Sequence, residues 1–198
     1  PDHWQSRWQA QATTLPVERV VQQEWVAPRC ADWVARLTLV MQEHAHDVVL
    51  VAHSSACAMV AHWAREAPLA LIMRVRGALL VAPSDPLAPA YPSGPTGFAP
   101  VPLYALPFPS TVVASRNDEY VAFAQAEQYA AAWGSTLWDL LGPERTEIFK
   151  AAVESAGAPA ATFERMQPWM AEMRPIGGRA TAYVCEEQRC RADRKSVV

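Results

Sequence analysis

Three short apolar runs rich in β-branched residues punctuate the first part of the chain: Asp47-Val-Val-Leu-Val-Ala52, Gly77-Ala-Leu-Leu-Val-Ala82 and Ser110-Thr-Val-Val-Ala-Ser115. Each lacks the in/out alternation of a half-solvated strand, so each predicts a strand buried on both faces of a parallel sheet. Helical periodicity fills the intervals. Ala31 to Glu43 places Trp33, Val34, Leu37, Val40 and Met41 on one stripe, Ala56 to Glu66 follows the first run, and Val121 to Trp133 ends at a C-capping Gly134. Upstream, His3 to Ala12 reads as a short helix with Trp4 and Trp8 on one face, and Glu18-Arg-Val-Val21 as a short strand. Strands alternating with helices predict an α/β fold with a small, doubly wound, mostly parallel sheet.

The rhythm changes after about Leu137. Pro143 to Ala156 and Ala160 to Met173 read as helices, the second interrupted by Pro168. Arg179 to Val184 reads as a strand, and Glu186 to Val198 as a polar, frayed end. The expected organisation is a partial α/β domain over 1–137 and a helical or irregular extension of different origin over 138–198. Residues 83–109 are proline-rich and aperiodic, the pattern of a long surface excursion that roofs a site.

Composition narrows the function classes. Hydrophobic residues make up 51% and charged residues 19% of the 198, with a net charge of −3. That balance suits a globular domain and gives no electrostatic footprint for nucleic acid or an anionic membrane. No run is long enough to span a bilayer, and residues 1–20 lack a secretory pattern, so the expected compartment is the cytoplasm. Cys30, Cys57, Cys185 and Cys190 show no zinc-type or thioredoxin-type spacing, and no metal site is expected.

Candidate chemistry sits at the end of the first buried run, in Ala52-His53-Ser54-Ser55-Ala56. A serine nucleophile on a sharp strand-to-helix turn needs small residues two positions before and after it, because strand and helix approach closely there. Alanine occupies both places. Ser55 as the centre would have His53 and Cys57 there and fits worse. A plain N-capping serine is the competing reading of Ser54. Asp118, after the third run, sits where a triad acid would lie, although Asn117-Asp118 is also ordinary turn chemistry.

Residues 1–137 resemble the YdeN-like serine hydrolases, the family of retinoblastoma-binding protein nine. The similarity rests on Pro1-Asp-His-Trp-Gln-Ser-Arg-Trp8, Asp32-Trp-Val-Ala-Arg36, Val49-Leu-Val-Ala-His-Ser54, Gly77-Ala-Leu-Leu-Val-Ala-Pro83 and Leu106-Pro-Phe-Pro-Ser-Thr-Val-Val-Ala-Ser-Arg-Asn-Asp118. The resemblance implies an α/β-hydrolase fold, Ser54 as nucleophile, Asp118 as the acid that orients a histidine, small ester or amide substrates, and no cofactor. The N–H of Ser55 is then one oxyanion donor, and the Asp-His-Trp segment places His3 near the pocket.

The chain departs from that pattern in two places. Its histidines are His3, His44, His46, His53 and His62, and none follows Asp118. His53 adjoins Ser54 but neighbours on a sharp turn point apart, and His44 and His46 end a helix before a strand, away from the sheet's carboxyl edge. His3 is the candidate stand-in for the base, with a polar helix-start residue as its competing reading. The first strand, with the loop that supplies the second oxyanion donor, would precede Pro1. Leu137 to Ala171 resembles a helical stretch of the TraB/GumN family, and Ala180 to Cys190 is similar to the C-terminus of YyaL-like thioredoxin-domain proteins. The expectation is an impaired serine hydrolase, N-terminally truncated and joined to unrelated pieces, with a non-catalytic binding or scaffold protein as the alternative.

Overall fold

The computed structural model describes residues 17–139, together with Gln5, Gln9 and the backbone of 183–186 and 189–192. The chain divides into two compact units. One is built on Val20–Asp139 with 155–157, the other on 1–19, 140–154 and 158–198.

The first unit holds a four-stranded parallel sheet in the order β1-β2-β3-β4: β1 (Val48–His53), β2 (Val75–Val81), β3 (Ser110–Ala114) and β4 (Thr136–Asp139). Helix α1 (Cys30–Glu43) precedes β1, α2 (Ser55–Glu66) and the single turn α3 (Leu69–Ile72) join β1 to β2, and α4 (Phe123–Trp133) joins β3 to β4. All four strands run the same way, so the chain leaves each of them at one common edge of the sheet. In α/β sheets that edge is where ligands bind.

The predicted stripe of α1 is the buried one: Trp33, Leu37, Val40 and Met41 face the core, and Val34 packs against it. Its last carbonyls are satisfied from outside the helix, since the Arg74 guanidinium donates to Met41 O and His44 O. α2 is buried over most of its surface, through Cys57, Ala58, Met59, Val60, Ala61 and Trp63. The Trp63 indole donates to Thr38 Oγ1 at 3.1 Å, tying α2 to α1. In α4 the Tyr129 and Trp133 rings stack at 5.2 Å, and the Trp133 indole donates to Pro102 O at 2.8 Å. Gly134 caps α4 at φ 68°, as its sequence position predicts.

β2 and β3 are buried on both faces, as their unbroken apolar runs predict. β1 differs. Val49 and Val51 are 41% and 37% exposed, while Val48, Leu50 and Ala52 face the core. β1 stands first in the strand order, and a continuous apolar sequence does not by itself distinguish a strand covered on one face from one covered on two. Glu18–Val21 is irregular rather than a strand. Val20 instead packs on the core, and Val21 O accepts a hydrogen bond from Arg36 Nε. β4 has no counterpart in the sequence reading: four residues, Thr-Leu-Trp-Asp, are too few to show a period.

Residues 82–109 are irregular, as expected, but they do not merely lie on the surface. Phe98, Pro102 and Phe108 are buried, Phe98 packs edge-on to Trp33, and Arg29 and Thr96 form an isolated bridge. Gly94 permits this approach, because a Cβ there would lie 2.6 Å from Val26 O.

In the second unit, β5 (Tyr183–Glu186) and β6 (Arg189–Ala192) form an antiparallel hairpin with Cys185 opposite Cys190. The expected strand at 179–184 is therefore shifted, and the polar stretch from Glu186 is paired at 189–192 rather than frayed there. Gln5 and Gln9, within the helix expected at 3–12, are helical. The helices expected at 143–156 and 160–173 lie outside the described residues, as does His3.

Candidate active site at the carboxyl edge of the sheet

β1 ends at His53, and the chain turns into α2 through a single residue, Ser54, at φ 59° and ψ −128°. Those angles are the mirror image of an ordinary extended conformation. Only glycine occupies them freely, and an L-residue is held there by its surroundings. Several groups fix it: Ser54 N donates to Val81 O at 3.0 Å, and Ser54 O accepts from Cys57 N at 3.0 Å. Ala52 is buried and Ala56 packs on the core, which explains the small residues at both flanks.

The Ser54 side chain does not cap α2. An N-capping serine has extended backbone angles and bonds a first-turn N–H. Ser54 has neither feature. Its hydroxyl lies 3.2 Å from the hydroxyl of Ser84, a residue only 3% exposed. Ser84 Oγ is also 3.3 Å from Ser55 Oγ, which is 2.8 Å from the Tyr91 phenol oxygen. Burial pushes the Tyr91 phenol above its ordinary range, an effect the Ser55 hydroxyl partly offsets. Ser55 opens α2, so its N–H belongs to the first-turn set that finds no partner within the helix.

Ser84 reaches this place because the loop after β2 turns sharply at Ala82, which has φ 48° and donates to Val113 O at 2.7 Å. The next residue fastens the neighbouring loop. Asp85 N donates to Tyr120 O at 3.1 Å, and Tyr120 N donates to Asp118 Oδ1 at 2.8 Å. Tyr129 of α4 donates to Asp85 Oδ1 at 3.3 Å, and burial with the Asp85 charge pushes its phenol well above the ordinary range. Ser54, Ser84, Asp85, Tyr120 and Asp118 thus form a continuous ledge along the edge.

Of the residues expected from the sequence, Ser54, Ser55, His53 and Asp118 all lie at this edge. Asp118 follows β3, two strands from β1, or about 10 Å by strand spacing. Its carboxylate holds its own turn through Oδ1 and has no bond to Ser54 among the described residues. His53 ends β1 opposite Val81 and is half-buried. His62, on α2, bonds Phe98 O through Nε2 at 3.1 Å and serves the loop. The sequence does not single out Ser84, Asp85 or Tyr91; Ser84 and Asp85 carry only the signal of their place just after a buried strand, in Ala82-Pro83-Ser84-Asp85, and Tyr91 carries none. Among the described residues no cluster of three His, Cys, Asp or Glu could hold a metal ion. No helix among them is long and apolar enough to cross a membrane.

A parallel sheet with a strained serine between a strand and the following helix defines the α/β-hydrolase class of fold. The chain belongs to the serine hydrolase family, whose model matches residues 1–144. A YdeN-like hydrolase from Pectobacterium atrosepticum superposes with a TM-score of 0.61 at 24% identity, over 78% of this chain and 83% of that one. The ydeN gene product from B. subtilis gives 0.40 at 22% identity, over 57% and 62%. A carboxylesterase from Bacillus cereus gives 0.39 at 15% identity, over 56% and 50%. No curated protein matches the chain.

Proposed function

We propose that Ser54 is the nucleophile of a hydrolase for small ester or amide substrates, and that the chain as given is a poor catalyst. The observation that carries the first half is the backbone of Ser54. A serine held at φ 59° with its hydroxyl turned away from the helix cap has a strained position that capping does not explain.

In this reading Ser54 Oγ attacks the substrate carbonyl carbon and loses its proton to a base. The oxyanion is held by the Ser55 N–H, and the alkoxide or amine leaves with a proton. Water then attacks the acyl-enzyme and restores Ser54. Asp118 is the acid that would orient a histidine across the carboxyl edge. No histidine follows Asp118 in these 198 residues. Removing the base of a serine triad costs on the order of 10⁶ in rate, so hydrolysis by this chain is expected to be slow.

A fluorophosphonate probe tests the proposal, because it reacts only with an activated serine. Slow labelling of the native chain that is lost in Ser54→Ala supports it. The absence of labelling favours the alternative, a binding protein that keeps the hydrolase fold without its chemistry, and labelling that survives Ser54→Ala refutes the assignment of Ser54.

A further inference from the structure

The four hydroxyls at the edge are joined in one line, Ser54–Ser84–Ser55–Tyr91, by three contacts of 3.2, 3.3 and 2.8 Å. Each hydroxyl has one proton to donate and two lone pairs. Three contacts consume three protons, so one O–H points out of the line. It is not that of Ser84, which is 3% exposed and would leave a donor buried without a partner. Ser84 must therefore donate along the line, to Ser54 or to Ser55. A phenol is a stronger acid than an alcohol and the better donor, and Tyr91 stands at the far end at the shortest of the three distances. The favoured polarity runs Tyr91 to Ser55 to Ser84 to Ser54, and it leaves the Ser54 proton facing outward.

We propose that Ser84 and Tyr91 are positioning residues for Ser54: Ser84 fixes the rotamer of its hydroxyl, and Tyr91 sets the direction of the line so that the Ser54 proton faces whatever base receives it. This rests on the reading of Ser54 as nucleophile. It gives a function to a buried serine and to part of the proline-rich segment that the family's triad does not use. When Ser54 Oγ forms its bond to the phosphorus of a fluorophosphonate, the P–F bond breaks, fluoride leaves, and the outward proton passes to water or buffer.

The test separates the binding and bond-forming constants of fluorophosphonate labelling in the full chain, with melting temperatures measured alongside. Ser84→Ala and Tyr91→Phe should each slow bond formation about tenfold, the equivalent of one well-placed hydrogen bond, with probe binding unchanged. Ser84→Thr, which keeps the hydroxyl, should restore most of the rate. The double variant should be no slower than Ser84→Ala, because one break already interrupts the line. Tyr91→Phe carries the test should Ser84→Ala fail to fold. Unchanged rates in both single variants, or multiplicative losses in the double, overturn the proposal and leave Ser54 as nucleophile.

If the native chain is not labelled, the reading of Ser54 fails and urea unfolding decides the rest. A double Ser54→Ala, Ser84→Ala variant whose midpoint shift is smaller than the sum of the single shifts upholds Ser84 as the group holding Ser54. Simple additivity overturns it.

Discussion

Replacing Ser54 by glycine should give a more stable protein than replacing it by alanine. Both substitutions delete the same hydroxyl and the same 3.2 Å contact to Ser84, so that loss cancels in the comparison. What remains is the backbone. Alanine must still adopt φ 59° and ψ −128°, a conformation costing an L-residue of order ~1–3 kcal/mol, whereas glycine adopts the mirror-image extended region freely. Glycine in turn loses more chain entropy on folding, roughly 0.5–1 kcal/mol. The net advantage of Ser54→Gly over Ser54→Ala is therefore about 1 kcal/mol at the middle of both ranges. For a chain of 198 residues each kcal/mol is ~2–4 °C of melting temperature. Urea denaturation of the two variants side by side reads the difference, with equal m-values as the check that the unfolded states match. A Ser54→Gly variant equal to or less stable than Ser54→Ala would show that the turn stores no strain, and would remove the observation on which the nucleophile reading depends.

Three other perturbations have definite expected outcomes. Gly94→Ala places a Cβ 2.6 Å from the backbone oxygen of Val26, a contact that cannot be relieved by a rotamer change. It should cost about 1–3 kcal/mol, and an unshifted urea midpoint would contradict the close approach of the proline-rich segment. Arg74→Ala frees Met41 O and His44 O at the end of α1 and should cost ~1.5–3 kcal/mol, with loss of amide-exchange protection concentrated in the last turn of α1. Burial pushes Cys30 up to about 12, with Glu66 adding to the effect, and pushes Cys57 higher still. Both thiols should resist a thiol-reactive disulfide reagent at pH 8 until the protein unfolds. Because the folded state keeps these protons longer than the unfolded state does, stability should be full below pH ~9 and fall as the pH rises toward 12, with the buried Tyr91 and Tyr129 phenols adding to the loss. A flat stability profile over that window would contradict the burial.

The elements most legible in the sequence are those whose burial is uniform. β2 and β3 are apolar runs covered on both faces, and α1 is an amphipathic helix of 14 residues that repeats its stripe through nearly four turns. Legibility fails where the deciding quantity is non-local. Val49 and Val51 are as apolar as Leu79 and Val113, yet one pair is partly exposed and the other buried, because exposure depends on what covers that part of the sheet. β4 owes its existence to β3, with Thr136 to Asp139 in register with Thr111 to Ala114. Glu18–Val21 has strand-like residues, yet it is irregular in the structure, because local composition alone does not make a strand.

The candidate site divides in the same way. Ser54 is legible because its requirements are local: a buried strand before it, a helix after it, and small residues at the flanks of a strained turn. Asp118 is legible as a position after β3, although its observed bond, to Tyr120 N, is the turn chemistry its neighbour Asn117 also suggests. Ser84 and Tyr91 are 30 and 36 residues from their partners Ser54 and Ser55, and nothing in the local composition marks one serine or one tyrosine in a proline-rich segment. They meet Ser54 because β1 and β2 are adjacent, parallel and in register to their last residues, His53 and Val81. Two positive-φ turns at Ser54 and Ala82 then bring the outgoing chains together. An arrangement produced by register and backbone reversal leaves its trace in the sheet rather than in any residue pattern. That is why the positions of Ser54 and Asp118 could be expected from the sequence, and the hydroxyl line connecting Ser54 to the loop after β2 could not.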